Sequence, residues 1–140
     1  MYSSRVHTRG RYCGPPQPEG GTSGEGCGGY FSYGSPQLLL SSNGTLLSFN
    51  QATKMGPSGY RNTWIDMVLR RSFDRGRTWQ PLQVVHSETN ASMPPSQWQT
   101  IGQDTAVLDR TTGVVHMMLA RNNVELLVTS SADHGARHHG

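Results

Sequence analysis

Apolar residues occur in short runs separated by turn-forming residues, a pattern typical of β-strands. In the first group these runs lie at Gln37–Leu40, Thr45–Phe49, Ile65–Arg71 and Leu82–Val85. No segment shows the apolar spacing of a helix over a useful length. The pattern therefore predicts four consecutive strands joined by hairpins.

Two segments between these runs have a distinct character. The pair Asn43-Gly44 separates the first two runs and predicts a type I′ turn, in which both central residues have positive φ. Gly, Pro and Ser are frequent between Asn50 and Asn62, so we expect a loop there. The turn and the loop complete the connections of the first two hairpins.

A second group of strands follows a crossing loop. Pro94 and Pro95 exclude a central strand from the segment His86–Gln103. The apolar pattern then restarts, and it predicts three more strands, which lie at Thr105–Leu108, Val114–Ala120 and Val124–Val128. The second group thus repeats the first without its fourth strand.

A short motif repeats at the same place in both groups. Ser72, Asp74 and Gly76 follow the third strand of the first group, and the same S-x-D-x-G pattern returns 59 residues later. Its second copy consists of Ser131, Asp133 and Gly135. A four-stranded unit that repeats at this spacing is typical of β-propeller blades.

These patterns divide the chain into a leader and one domain. In residues 10–29, 11 of 20 positions are Gly or Pro, so residues 1–29 are predicted to be a flexible leader. Residues 30–140 form the domain, with blade one at about 36–86 and a truncated blade two at about 103–136.

Composition narrows the class of protein further. Hydrophobic residues make up 34% and charged residues 15% of the chain, which argues against a helical bundle. The net charge of +3 is scattered, so we expect no nucleic-acid partner. The longest apolar run, Val114–Ala120, is too short to span a membrane. No signal peptide is visible, and localisation stays open, as does a bridge between Cys13 and Cys27.

The segment Ser72–Trp79 matches S-x-D-x-G-x-T-W at every specified position. It resembles the Asp-box of sialidases, a turn in which the Asp74 carboxylate accepts N–H groups, Gly76 adopts positive φ and Trp79 packs between sheets. Two further segments, Asn43–Phe49 and Asp109–His116, resemble the family's G-T-L-L and D-x-x-T-G-x-x-H motifs. The structural Asp-box residues are Ser72, Asp74, Gly76, Thr78 and Trp79, and, in the degenerate second copy, Ser131, Asp133 and Gly135.

The resemblance covers Tyr30–Gly135 and implies an all-β fold, namely part of a six-bladed sialidase-type β-propeller. About one and three-quarter blades are present. In this family the Asp-box is a folding motif on the rim, away from the sugar site. The activity of the family is hydrolysis of terminal sialic acids from glycoproteins and glycolipids, without a metal or organic cofactor.

The chemistry of the family depends on three arginines that bind the sialic acid carboxylate, a Tyr nucleophile assisted by a Glu, and an Asp acid/base. In this sequence Gly34 stands at the position of the first arginine, and Arg61 at that of the acid/base. Asp66 is a weak substitute acid, for which a solvated or turn-bonding role is preferred. Gln103 and Asp104 match a stretch near the substrate and are weak candidates for substrate binding. The other catalytic groups belong to later blades, so we expect this chain alone to be inactive.

Two alternatives to this interpretation stay open. The chain could be a non-catalytic module or scaffold that binds sialylated glycans, with Trp64 or Trp98 stacking on a sugar, although packing is the preferred role of both rings. It could also be an incomplete reading frame. Open sheet edges could lead to self-association.

The remaining candidates are assigned structural roles. The histidines His134, His138 and His139 lack further ligands, so no metal site is expected. The segment Met117–Leu119 is predicted to be strand core rather than a set of sulfur ligands.

Overall fold

Seven strands form two antiparallel sheets in the computed structural model, which describes Tyr30 and residues 32–55 and 63–136. The first sheet has the order β1-β2-β3-β4, and the second has the order β5-β6-β7. The strands are β1 Ser32–Leu40, β2 Leu46–Met55, β3 Trp64–Ser72, β4 Gln83–His86, β5 Ile101–Leu108, β6 Val115–Arg121 and β7 Glu125–Ser131. The predicted all-β class and both groups of strands are confirmed, and the predicted leader lies outside the described residues.

Strand β2 is longer than the sequence pattern predicts. The expected loop from Asn50 is wrong over its first residues, because β2 continues to Met55. Asn50 and Gln51 are buried and pair with Val68 and Met67 of β3. These polar residues are held in the strand by the ladder to β3, a tertiary effect that overrides local propensity.

The turn between β1 and β2 differs from the predicted type I′ geometry. Only Gly44 has positive φ there, at 85°, while Asn43 does not. The N–H of Gly44 donates to the Ser41 carbonyl at 3.0 Å, and the N–H of Ser41 donates to the Thr45 carbonyl at 2.9 Å. This is a type I turn followed by a glycine bulge, which places three residues rather than two in the loop.

The two positive φ values of a type I′ turn occur instead between β6 and β7. Asn122 and Asn123 have φ of 52° and 56°, and the N–H of Val124 donates to the Arg121 carbonyl at 3.0 Å. Asparagine tolerates this region better than most residues, which explains the tight reversal at this pair.

The first strand of each sheet carries an irregularity at the same place. The register shifts between Gly34 and Gln37 in β1 and between Gly102 and Thr105 in β5. Ser35 and Gln103 have positive φ within these two irregularities. The structural repeat therefore extends to local backbone geometry.

The main core lies between the two sheets. Leu47, Phe49, Met67 and Leu69 of the first sheet pack against β5 and β6, and all four are buried. The residues that they meet from the second sheet are Ile101, Ala106, Val115, Met117 and Leu119. Face-to-face stacking of successive sheets is how adjacent propeller blades pack.

One predicted core residue lies elsewhere. Met117 and Leu119 are in the core, as expected, but Met118 is 47% exposed on the opposite face of the sheet. Successive side chains in a strand point to opposite faces, so an apolar run of three cannot place all its members in one core.

Gln37 joins the first strands of the two sheets. Its side-chain Nε2 donates to the Ala106 carbonyl at 2.8 Å, and its Oε1 accepts from the Ala106 N–H at 2.7 Å. The amide thereby satisfies both backbone groups of Ala106, as a neighbouring strand would.

The alternating strands separate two ends of the stack. The turn end carries residues 41–45, 72–82, 109–114 and 131–136, and the crossing end carries residues 87–100 and 122–124 together with the start of β3. At the crossing end, Thr100 donates through Oγ1 to the Thr63 carbonyl at 3.0 Å, and its N–H donates to Asn122 Oδ1 at 2.9 Å. The crossing segment, residues 87–100, is thus fastened to both sheets.

We predict that Phe49→Ala destabilises the chain by about 3–5 kcal/mol, because the ring is 1% exposed and its loss leaves a cavity between the sheets. The matched control is Phe73→Ala. The Phe73 ring is 61% exposed, and Cζ of the Arg71 guanidinium lies 5.6 Å from its centre. That control should cost less than about 1 kcal/mol. Urea unfolding measures both, and equal losses would contradict this account of the core.

Candidate functional site

Asp66 is the centre of a buried polar cluster at the crossing end. It lies in β3 and is only 3% exposed. Oδ2 accepts a hydrogen bond from the Tyr30 hydroxyl at 2.7 Å. Oδ1 accepts from Trp64 Nε1 at 2.9 Å and from the Ser87 hydroxyl at 2.5 Å. The expectation of a solvated or turn-bonding Asp66 is therefore wrong, because three protein donors, two of them from distant segments, take the place of water.

The partner groups of Asp66 are themselves constrained. Burial, followed by the hydrogen bond to Asp66, raises the pKa of Tyr30 far above its usual range. Burial also raises the pKa of Tyr33, and the nearby Arg70 opposes this rise. Both hydroxyls are thus poor sources of a phenolate at neutral pH.

Trp64 and Trp98 pack against each other near this cluster. Their ring centroids are 6.4 Å apart, and the two residues are 6% and 7% exposed. Lys54 Nζ lies 4.7 Å from the Trp64 ring centre. The preferred packing role agrees with this arrangement, in which neither ring offers an open face for a sugar.

The two positions expected to correspond to catalytic residues of sialidases, Gly34 and Arg61, differ in what the structure describes. Gly34 lies in β1 opposite Gln51, is exposed, and has no atom within 4 Å of the place where a Cβ would stand. A side chain at this position would meet no steric obstacle. Arg61 lies outside the described residues.

Gln103 and Asp104 lie in the β5 irregularity, where the two sheets meet. Gln103 is exposed, whereas both carboxylate oxygens of Asp104 are shielded from solvent and make no hydrogen bond of ordinary geometry. Burial raises the pKa of Asp104, and its own N–H and the nearby Gln51 amide offset this only in part. Gln51 packs over Gly102 and donates to the Ser35 hydroxyl at 2.8 Å. The structure thus places Asp104 in a polar seam between the sheets rather than on an open surface.

The repeated S-x-D-x-G turns lie at the opposite end of the stack. In the first turn the Ser72 hydroxyl donates to Asp74 Oδ1 at 2.8 Å and accepts the Gly76 N–H at 2.8 Å. Thr78 donates to Asp74 through its N–H at 2.8 Å and through its hydroxyl at 2.6 Å. These bonds hold the pKa of Asp74 at about 2, with the Thr78 hydroxyl as the largest cause.

The second turn has the same geometry without the threonine. The Ser131 hydroxyl donates to Asp133 Oδ1 at 2.7 Å and accepts the Gly135 N–H at 2.9 Å. Gly135 has φ of 79°, and a Cβ there would stand 2.9 Å from Leu69 Cδ2. Trp79 is half-buried in the first turn, and the residues after Ala136 lie outside the described part of the chain.

A cleft that no sequence pattern predicts lies at the crossing end, and we call it the crossing cleft. Its volume is about 610 Å³. It is lined by charged, carboxamide and apolar side chains from the crossing segment and the β6–β7 hairpin, namely Glu88, Met93, Gln97, Gln99, Arg121, Asn122, Val124 and Glu125. No local sequence pattern indicates the crossing cleft, because its two walls come from segments more than 20 residues apart.

The charged side chains of the crossing cleft are paired with one another. Arg121 Nη1 donates to Glu88 at 2.9 Å, and Nη2 contacts Glu125. His86 Nε2 lies 3.0 Å from the other oxygen of Glu88. Burial would raise the pKa of Glu88, but hydrogen bonds from Arg121 and His86 outweigh it and hold the pKa below its usual value. Arg121 is therefore committed to two carboxylates.

The structure describes residue 30, residues 32–55 and residues 63–136. Within these ranges no three His, Cys, Asp or Glu side chains lie close enough together to hold a metal ion. His134 is described, whereas His138, His139, Cys13 and Cys27 are not. The same ranges contain no helix long and apolar enough to cross a membrane.

Comparisons with known proteins relate this fold to sialidases. No protein-family model matches the chain. A solved structure of the Hadza microbial sialidase Hz136 matches 79% of this chain with a TM-score of 0.67 and 22% sequence identity. Two structures of the NanB sialidase from Streptococcus pneumoniae, one a point mutant and one a complex with a chlorobenzylammonio ethanesulfonate, match 69% of the chain with a TM-score of 0.54 and 17% identity.

The match covers only part of each sialidase. This chain spans 25% of the Hadza enzyme and 17% of the NanB chains. At these identities the likeness establishes the fold, and the expectation of a partial sialidase-type propeller is confirmed at that level.

We predict that the Asp74 turn stabilises the chain at acidic pH down to its lowered pKa. The carboxyl has a pKa of about 2 when folded against an ordinary value of 3.8, so its contribution is complete above pH 4 and disappears as pH falls through 2. Urea midpoints between pH 5 and pH 2 should therefore fall less steeply for Asp74→Asn than for the unaltered chain.

The control variant is Thr78→Val, which keeps the carboxylate and removes its strongest donor. This variant should lose stability at a higher pH than the unaltered chain. Parallel curves for the unaltered chain and Asp74→Asn across this range would refute the assignment.

Proposed function

We propose that the chain is the N-terminal portion of a sialidase-type propeller whose complete form releases terminal sialic acid from glycoproteins and glycolipids, and that it does not hydrolyse sialosides alone. The observation that carries this proposal is the stack of two sheets with S-x-D-x-G turns at equivalent places, in a fold like that of solved sialidases. The turns serve as structural Asp-boxes, since their polar groups are consumed by hydrogen bonds within each turn.

The groups at the crossing end are poorly suited to exchange a proton with a substrate. A general acid must exchange a proton with the glycosidic oxygen, which requires access to the substrate. Asp66 is buried, and both its oxygens accept hydrogen bonds from protein groups. The Tyr30 hydroxyl donates to that same carboxylate, and its raised pKa disfavours the phenolate that a nucleophile needs. These contacts support a positioning role for both residues.

Gly34 and Arg121 are also poorly suited to bind the sialic acid carboxylate. A guanidinium binds a carboxylate bidentately when its N–H groups are free. Gly34 offers no side chain, and Arg121 at the crossing end is already paired with Glu88 and Glu125. Sialidases use several arginines together. The other arginines that bind the sialic acid carboxylate would then belong to other parts of a longer propeller.

A second candidate function is glycan binding without hydrolysis, which the crossing cleft favours. Gln97 supplies an exposed carboxamide that can pair with sugar hydroxyls, and Val124 is an exposed apolar contact. The side-chain amides of Gln99 and Asn122 also line the cleft and are bonded to each other. Because Arg121 is paired with two carboxylates, the cleft favours a neutral sugar over an anionic one. Any sialylated glycan held there is then bound through its neutral units.

We expect the purified 140-residue chain to release no fluorophore from a fluorogenic sialoside above the rate in buffer. An active sialidase at the same substrate concentration serves as the positive control. Gly34→Arg should be equally inactive, because one arginine restores neither the other two nor the nucleophile. Repeated turnover by the unaltered chain that Asp66→Asn abolishes would overturn the proposal.

The crossing cleft makes a separate prediction about binding. In an NMR titration, lactose and sialyllactose should shift the side-chain amides of Gln99 and Asn122 at similar concentrations. Glu125→Gln removes one of the two carboxylates that hold Arg121, so it should improve binding of sialyllactose relative to lactose. A clear preference of the unaltered chain for sialyllactose, or no shift with either sugar, would contradict neutral-sugar binding.

A further inference from the structure

Three polar side chains beside the turn end each have a shielded atom without a hydrogen-bond partner. These atoms are Arg71 Nε, Gln83 Oε1 and His134 Nδ1, and each belongs to a half-buried residue. Native proteins rarely leave a shielded donor or acceptor unpaired, because the group then loses its hydrogen bonds to water without replacement. A group of such atoms therefore indicates a place where a polar ligand binds.

The ladder between β3 and β4 places two of these side chains on one face. Gln83 is paired with Leu69, whose side chain lies in the core between the two sheets, so Gln83 points to the same side. Arg71 lies two residues after Leu69 in β3, and residues two apart in a strand share a face. Arg71 and Gln83 therefore lie on neighbouring strands, on the face of the first sheet that meets the second sheet.

The second S-x-D-x-G turn brings His134 to the same place. A Cβ on Gly135 would stand 2.9 Å from Leu69 Cδ2 and 3.7 Å from Arg71 Cδ, so this turn lies directly over both side chains. His134 precedes Gly135 and has a φ of 56°. The carboxylate of Asp133 is directed into its own turn, where Oδ1 accepts from the Ser131 hydroxyl. We call Arg71, Gln83 and His134 the turn niche.

The charge of Arg71 favours an anion in the turn niche. No carboxylate of residue 30, residues 32–55 or residues 63–136 forms an ion pair with Arg71, whereas Arg121 contacts two. The Arg71 guanidinium lies beside the Phe73 ring, which is 61% exposed, so a solute can approach the niche from this side. A guanidinium presents its N–H groups as a planar fork that matches the oxygens of an oxyanion.

Gln83 narrows the kind of anion that fits. Its Oε1 is an acceptor and needs a hydrogen-bond donor, while His134 Nδ1 donates or accepts according to its tautomer. Sulfate and carboxylate ions offer only acceptor oxygens at neutral pH, and a phosphate ester has lost most of its second proton there. Inorganic phosphate still carries at least one O–H. A water molecule also donates and accepts, but it brings no negative charge to Arg71.

We propose that the turn niche binds inorganic phosphate, with Arg71 Nε–H donating to an anionic oxygen and Gln83 Oε1 accepting from the P–OH group. The bound ion joins β3 and β4 of the first sheet to the second S-x-D-x-G turn. The inference is independent of the proposed function, since it rests on the hydrogen bonds and charges beside the turn end alone.

The test is an NMR titration of the 140-residue chain at pH 7 with sodium phosphate or sodium sulfate, at one ionic strength. The Arg71 Nε–H and the Gly135 backbone amide should shift saturably with phosphate. Sulfate should bind at least about tenfold more weakly, because it leaves Gln83 Oε1 without a donor. Gln83→Leu removes that acceptor, so it should bring the two affinities to within about twofold. Arg71→Lys keeps the charge but loses the fork, so it should weaken phosphate at least about tenfold.

The matched control is Arg70→Lys, because Arg70 Nε is also shielded and unpaired but lies on the opposite face of β3. It should change the phosphate affinity less than about twofold, and circular dichroism checks that each variant is folded. The absence of a saturable shift assigns the niche to water and refutes the proposal, as does equal binding of the two anions. Equal weakening by Arg70→Lys indicates general attraction by charge instead. Should Arg71→Lys fail to fold, an unchanged preference for phosphate in Gln83→Leu refutes the proposal by itself.

Discussion

The packing of Phe49 and Leu69 against Met117 and Leu119 is the interaction on which the rest of this molecule depends. Neither sheet could be stable alone, since a few strands with one apolar face need a second layer to cover it. Once the two sheets stack, their first strands lie side by side, and the Gln37 amide can bond across to Ala106. The sheet ends are then fixed relative to each other, and each polar cluster is built on that frame.

The two ends of the stack provide hydrogen-bond donors for their carboxylates in different ways. At the turn end, hydrogen bonds within a few residues satisfy Asp74 and Asp133, so these turns form wherever the local sequence permits. At the crossing end, Asp66 gathers donors from Tyr30 and Ser87, which are 36 and 21 residues away. The turn end is therefore a local feature of each blade, whereas the crossing end exists only when the whole domain is folded.

This difference explains how far the sequence could take the prediction. All seven strands and the repeated turns follow from patterns of a few residues. Their predicted bounds were wrong at the starts of β1 and β5 and at the ends of β2 and β7, and the Asn43-Gly44 turn has another geometry. The extension of β2 through Asn50 and Gln51 depends on pairing with β3, which local propensity does not contain. The burial of Asp66 and the crossing cleft depend on contacts between distant segments, such as the 33-residue separation of Glu88 and Arg121. The burial of Asp66 and the crossing cleft arise only when the folded chain brings these distant side chains together.

Under the proposed function, Gly34 is a position at which the scaffold and its chemistry can be separated. Its surroundings are open, its φ lies outside the left-handed region, and it pairs with Gln51 at the edge of the β1 irregularity. Nothing about the fold therefore selects for or against a larger residue there. A chain of this kind could drift away from a binding role, or return to one, while its stability stays constant, so natural variation at this position would report on function and be silent about folding.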